Sequence, residues 1–156
     1  CTACTCPLRN GVRKHDWRNH QCQRKTRTSR YLGIQVERDE KGFVLHQKTL
    51  IENLLKRAAT HMPNIAGADT PAPAKPLDKS TCPVSDQDKK MWSERPYRSY
   101  LGGVGYIMLG TRPDLAFAYQ QLARFNSCYG EDHWKALQHL LAYMRKSKDT
   151  HVMCFT

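Results

Sequence analysis

One stretch of the chain places an arginine, a glycine and an aromatic residue four positions apart, at Arg98, Gly102 and Tyr106. On a helix, residues at this spacing share one face. Such a face suits the minor groove of a nucleic-acid duplex, because the glycine admits the backbone closely, the ring packs on sugars and Arg98 reaches phosphates or base edges. The alternative is close packing on another helix through Gly102 and Gly105. Both could hold, since Gly103 and Gly105 do not share the face of Arg98.

The charge of the chain indicates a partner of opposite sign. Its 25 Lys and Arg residues outnumber 14 Asp and Glu residues, which gives a net charge of +11. Residues 1–30 concentrate this excess, with eight Lys and Arg residues against one acid, Asp16. Because neutralised phosphates release counterions, a basic surface favours nucleic acid over a membrane. Arg112 and Lys135 could add phosphate contacts, although such residues are more often solvated surface charges.

The cysteine pattern indicates a reducing compartment. The seven cysteines are odd in number and irregularly spaced after Cys22, unlike the disulfide framework of a secreted domain. We therefore expect free thiols and an intracellular location. No apolar run approaches the about 20 residues that a membrane span requires, so no membrane partner is expected.

The amino-terminal segment offers a different chemistry, zinc binding. A pair of cysteines followed by a pair of histidines resembles the ligands of a two-cysteine, two-histidine finger. The gap of ten residues between the pairs is shorter than the about twelve residues of that finger, and the apolar residues of a finger core are missing. Zinc binding is therefore an alternative to an unstructured segment. The candidate ligands are Cys1, Cys4, Cys6, His15, His20 and Cys22.

Composition divides the chain into five parts. The first is basic without an apolar period, so we expect disorder or an artefact there. The third carries five prolines and is predicted to be a linker without a helix. Since the chain starts with Cys1 and not Met, we expect a fragment, a processed product or an imperfect gene model. The parts are residues 1–30, 31–59, 60–95, 96–148 and 149–156.

Residues 31–59 predict a β-hairpin followed by a helix. Aromatic and β-branched residues form two strand-like runs around turn-forming residues at 39–42. Gly33 inside the first run suggests a bulge, or a close approach of another backbone. From His46 onward, apolar residues recur at helical spacing.

Residues 96–148 predict three helices, and the last residues predict the start of a strand. Pro96 suits the first turn of a helix that stops at Gly110. Thr111 is expected to cap the next helix, and the third ends in basic residues that suit its negative end. The fold class is therefore α+β, a hairpin followed by a mainly helical bundle. The predicted core residues are Leu50, Leu54, Leu101, Ile107, Leu115, Phe117, Leu122, Trp134, Leu137 and Leu141.

Six segments, in order across residues 31–156, resemble the reverse transcriptases of copia-type retrotransposons. The first resembles the family's FLGIEVER, which follows the catalytic hairpin, and the fifth resembles its TRPDIAFAV. Residues 1–30 match nothing in the family pattern, and Gly103 and Gly105 depart from it. The six segments are YLGIQVER (31–38), LHQK (45–48), TP (70–71), PYRSYLG (96–102), TRPDLAFA (111–118) and HWKAL (133–137).

The resemblance implies a role in RNA-directed DNA polymerisation within a Pol polyprotein. It makes the hairpin similar to the primer grip, with Leu32 and Gly33 at the contact point. It makes the arginine–glycine–aromatic helix similar to the duplex-tracking helix of a thumb, so that residues 96–148 are expected to be thumb-like. Residues 149–156 would then begin the connection to an RNase H domain.

The resemblance also implies that the chemistry is performed outside this chain. The family holds two Mg²⁺ ions with aspartates, including a YVDD turn expected just before Tyr31, where this chain has no Asp pair. We therefore expect no catalytic residue and no cofactor here, with Mg²⁺ in the intact parent enzyme. The expected partners are an RNA–DNA hybrid or DNA duplex, together with the palm and RNase H domain of the polyprotein, in a cytoplasmic virus-like particle or the nucleus. A domesticated or decayed non-catalytic nucleic-acid-binding or interaction protein is the open alternative.

Overall fold

The computed structural model describes residues 27–39, 42–63, 65, 67–149 and 153–155, so the candidate zinc ligands lie outside the described residues. The fold is α+β, as predicted, with one antiparallel sheet and five helices. No helix in these ranges is long and apolar enough to cross a bilayer. The strands are β1 (Arg27–Tyr31), β2 (Ile34–Asp39), β3 (Gly42–His46) and β4 (Met153–Phe155), and the helices are α1 (Lys48–Ala59), α2 (Asp86–Ser93), α3 (Tyr97–Gly110), α4 (Ala116–Ala123) and α5 (Glu131–Ser147).

The sheet has the order β1-β2-β3-β4, and each neighbouring pair is antiparallel. The predicted hairpin is confirmed as β2 and β3, which pair from Gln35 opposite His46 to Asp39 opposite Gly42. The predicted terminal strand is confirmed as β4, which adds to the edge of the sheet beside β3. One open sheet therefore contains strands that lie far apart in the sequence.

Strand β1 corrects two predictions. β1 starts at Arg27, so residues 27–30 form a strand inside the part for which composition predicts disorder. Gly33 lies in the two-residue turn between β1 and β2, and not in a bulge within a strand. Its φ is +79° and that of Leu32 is +48°, which is the backbone that the tightest hairpin turns require. Composition does not predict β1, because its residues are mostly polar and show no apolar alternation. Its strand conformation depends on pairing with β2.

The hydrophobic core lies among α1, α3, α4 and α5. Eight of the predicted core residues are buried, and Leu50 is partly buried against them. The prediction of Phe117 was wrong, since its side chain is 65% exposed. The buried stripe of this region contains Leu115, Ala118 and Leu122, and its helical spacing leaves Phe117 on the outer face of α4.

The helix α2 corrects the prediction of a linker without helices. Its eight residues, Asp86–Ser93, lie within the proline-rich part. Asp86 and Asp88 occupy the first turn, where acidic side chains stabilise the positive end of a helix. None of its residues is buried, so α2 is a peripheral element that its local sequence favours.

The junction between α3 and α4 differs from its prediction in one detail. Thr111 does not cap the following helix; it ends α3, and its hydroxyl donates to Oε1 of the buried Gln47 at 2.9 Å. A 3₁₀ turn, Pro113–Leu115, then leads into α4. The hydrogen bond therefore joins the start of α1 to the end of α3.

A buried arginine connects this junction to the last turn of α5. Arg112 is 1% exposed, and its Nε and Nη2 donate to the two carboxylate oxygens of Asp114 at 2.9 and 2.8 Å. Nη2 also donates to Oγ of Ser147 at 2.8 Å. The guanidinium lies over the ring of Tyr143, whose hydroxyl donates to Asp114. Because the carboxylate compensates the buried charge, the arginine can hold two chain segments together inside the protein.

Replacing this arginine should destabilise the fold. Arg112→Gln removes the bidentate ion pair and leaves polar partners without donors, so we expect a loss of about 3 kcal/mol in the free energy of unfolding. Urea denaturation followed by circular dichroism measures it. Arg124→Gln removes an exposed arginine of similar size and should change stability by less than about 0.5 kcal/mol. Equal urea midpoints for the two variants would contradict the account of Arg112.

A buried histidine lies in the first turn of α5. His133 is 0% exposed, and its Nδ1 accepts the backbone N–H of Gly130 at 3.1 Å. Its ring packs on Phe125, with 4.1 Å between the ring centroids. Burial lowers the pKa of His133, and the nearby Asp132 offsets part of that shift. The neutral imidazole is therefore the form that the folded protein favours.

The fold should lose stability in mild acid through His133. Because its folded pKa lies below the unfolded value of about 6.5, the unfolded state binds more protons there and stability rises with pH. As pH falls below about 6.5, the free energy of unfolding should drop by up to about 1.4 kcal/mol per pH unit until the folded pKa is passed. In His133→Asn, Oδ1 of the asparagine can still accept the Gly130 N–H, but no imidazole titrates. The slope of the free energy of unfolding against pH should therefore be smaller, by up to the contribution of one proton. The same slope in both proteins would refute this assignment.

Candidate nucleic-acid interface

The helix α3 presents one open face to solvent. Arg98 and Gly102 are exposed, and Tyr106 is 48% exposed. Outside its own helix, no described atom lies within 4 Å of the position that a side chain at Gly102 would occupy. We call these three residues the α3 track. The Arg98–Tyr106 spacing thus yields a surface on which a partner could approach the helix backbone at Gly102.

Gly103 and Gly105, also on α3, serve a different purpose from Gly102. A Cβ at Gly103 would lie 2.8 Å from Cδ1 of Leu54 on α1, and one at Gly105 would lie 2.9 Å from the ring of Tyr119 on α4. Each absent side chain lets a neighbouring helix pack closely. Helix packing therefore accounts for Gly103 and Gly105, and it leaves Gly102 without a structural reason.

The turn between β1 and β2 contacts the far end of the α3 track. The hydroxyl of Tyr106 donates to the backbone oxygen of Leu32, 74 residues away in sequence. A Cβ at Gly33 would lie 3.9 Å from the Tyr106 ring. Leu32 has a positive φ, a conformation that costs a non-glycine residue about 1 kcal/mol and is often found at functional sites. The structure thus brings together Leu32, Gly33 and Tyr106, which the sequence singles out separately.

Two polar contacts organise the amino-terminal end of the same face. Nε of Arg98 donates to the backbone oxygen of Asn126 at 2.9 Å, which fixes the direction of the side chain. Nη2 of Arg57, on α1, donates to Oγ of Ser99 at 2.9 Å. Arg57 thus places a second cation beside the α3 track. The sequence gives no signal for it, since the approach of α1 to α3 is a tertiary contact.

The remaining predicted contact residues make their bonds elsewhere. The guanidinium of Arg112 is enclosed and bonded to Asp114 and Ser147, so a phosphate contact there would require this network to open. Lys135 is exposed on α5, and its Nζ pairs with Oε1 of Glu131 at 2.6 Å. That hydrogen bond raises the pKa of Lys135. The nucleic-acid contacts of these two residues stay predictions.

The described residues do not fit a dedicated metal site. Within them, no three His, Cys, Asp or Glu side chains lie together as possible ligands. Asp114, one carboxylate of the junction, is engaged by Arg112. This surface is suited to binding a ligand through arginine side chains, an open helix backbone and an aromatic ring.

Known proteins place the chain among transposon polyproteins. It is 35% identical over 117 residues to the "Retrovirus-related Pol polyprotein from transposon TNT 1-94" of Nicotiana tabacum. The aligned residues cover 73% of this chain and 9% of that protein. Its identity to the corresponding polyproteins of transposons RE2 and RE1 of Arabidopsis thaliana is 31% for each, over 119 and 115 residues, or 76% and 73% of this chain. The chain spans 7 to 9% of the length of these relatives. No family model and no solved structure matches it.

Proposed function

Because the chain belongs to the retrovirus-related Pol polyproteins of copia-type transposons, we propose that it grips primer–template duplex for reverse transcription. In this proposal the β1–β2 turn acts as part of a primer grip, and α3 acts as the duplex-tracking helix of a thumb. The segment positions nucleic acid, an RNA–DNA hybrid or a DNA duplex. The rest of the polyprotein supplies the polymerase chemistry, and this segment is inactive alone.

The observation that carries the proposal is the contact between the turn and the α3 track. Two segments that would both touch the duplex lie against each other at Leu32 and Tyr106. A single duplex could therefore contact both at once. Packing alone explains the other glycines of α3 but does not explain the open Gly102.

The dimensions of the α3 track suit a short length of duplex. Tyr106 lies eight positions after Arg98, which is about 12 Å along a helix. A duplex rises about 3.4 Å per base pair, so the track spans about three to four base pairs. Arg98, with Arg57 beside it, adds the positive charge that phosphates require.

Alanine at Gly102 should separate binding from stability. Gly102→Ala adds a methyl group where the free protein has open space, so the free energy of unfolding should rise by about 0.5–1 kcal/mol. The same methyl group would keep a duplex from the helix backbone, and affinity for an RNA–DNA hybrid should fall about fivefold or more. Fluorescence anisotropy of a labelled hybrid across a salt series measures binding, and thermal unfolding measures stability.

Two further variants complete this experiment. Gln120→Ala changes an exposed position on α4 and should leave affinity unchanged. Arg98→Ala combined with Tyr106→Ala should weaken binding more than Gly102→Ala, with circular dichroism confirming that the fold is retained. If Gly102→Ala is more stable than the wild type and binds the hybrid equally well, no duplex lies over this glycine.

A further inference from the structure

A basic groove continues from the α3 track towards α2. It lies between α2, the start of α3 and the loop that follows α4, with a volume of about 440 Å³. Three cations line it, and no acidic residue among those described does. Nζ of Lys89 pairs with Asp86 at 3.0 Å, so the two arginines, Arg95 and Arg98, carry most of its uncompensated charge.

Arg95 is held against aromatic side chains in this groove. Its guanidinium lies over two indole rings, with Cζ 4.4 Å from the centroid of Trp92 and 5.3 Å from that of Trp134. Cation–π attraction holds the guanidinium against the rings and leaves its N–H edges free to donate. In the described part of the chain these edges have no hydrogen-bond acceptor, although Arg95 is exposed and lines the groove.

Arg98 belongs to both the groove and the α3 track. Its Nε is committed to the backbone oxygen of Asn126, which leaves the terminal amino groups to donate to a ligand. Ser99 lines the groove beside it, at the amino-terminal end of α3, where backbone N–H groups favour an anion. The two guanidinium groups suit the oxygens of a phosphate, which arginine binds in bidentate fashion.

We propose that this groove binds a phosphodiester of the nucleic-acid strand that leaves the α3 track at Arg98, with Arg95 as its principal donor. The proposal rests on the proposed function and extends the contact surface by one element, to α2. A nucleic acid is favoured over other anions because Arg98 is shared, so that one strand could pass from the track into the groove. Arg95 then sets the position of the strand beyond the three to four base pairs (about 12 Å) that the track covers.

Charge-removing variants test the groove in the full chain. Arg95→Gln should weaken binding of an RNA–DNA hybrid about three- to tenfold and reduce the slope of log affinity against log salt by about one. Lys75→Gln removes one positive charge from an exposed residue outside the groove and should leave the slope unchanged. Arg95→Lys keeps the charge but not the planar fork, so it should retain the slope and bind more weakly than the wild type.

The outcomes separate the groove from the α3 track. If Arg95→Gln and Lys75→Gln behave alike while Gly102→Ala still weakens binding, the groove proposal is overturned and the proposed function stands. If no variant changes binding, both are overturned. A titration with inorganic phosphate at constant ionic strength tests whether the groove binds free phosphate instead. If Arg95→Gln abolishes phosphate binding but leaves hybrid binding intact, the groove is a free-phosphate site and the groove proposal fails. Circular dichroism must show that Arg95→Gln is folded. If it is not, the affinity of Arg95→Lys for the hybrid decides: weaker binding than the wild type supports the groove, and equal binding overturns it.

Discussion

The ion pair between the buried Arg112 and the partly exposed Asp114 is the interaction on which the arrangement of the helices depends. The short connection between α3 and α4 buries the side chain of Arg112, and a buried charge is tolerated only if it is compensated. Asp114 compensates the guanidinium, which also donates to Ser147 and lies over the ring of Tyr143, both on α5. Together with the hydrogen bond from Thr111 to Gln47, this fixes α3 relative to α1 and α5.

Because α3 is held on its inner side, its outer side is free to act as a surface. Gly103 and Gly105 let α1 and α4 approach closely, and those contacts compensate the low helix propensity of glycine. Gly102 receives no such compensation from the described residues, and in the proposed complex the duplex would use the space beside it. The β1–β2 turn rests on Tyr106 at one end of this face, and the basic groove opens at the other. A strand of nucleic acid could thus contact three elements on one side of the protein.

Local sequence pattern was sufficient to predict most of the helices and strands and insufficient to predict the contacts between them. The hairpin, α3 and α5 follow from apolar period and turn chemistry, and the track residues follow from helical spacing alone. Strand β1 has no apolar pattern and exists through pairing with β2, while α2 lies in a part whose prolines obscured a favourable first turn. Burial of Arg112 could not be anticipated, since its partners Ser147 and Tyr143 are more than 30 residues away. The stacking of Arg95 on Trp134 is a tertiary contact of the same kind.

The most direct measurement of the central claim, that a duplex lies along the α3 track and touches the turn, is an amide chemical-shift titration of the full chain with an RNA–DNA hybrid. The amide resonances of glycines on different faces of the protein report binding at each face separately. The account predicts that the resonances of Gly102 and Gly33 shift together with a common affinity, while that of Gly67, which lies against Lys146, stays in place. Shifts confined to residues 1–30, or a shift at Gly67 without any at Gly102, would contradict it.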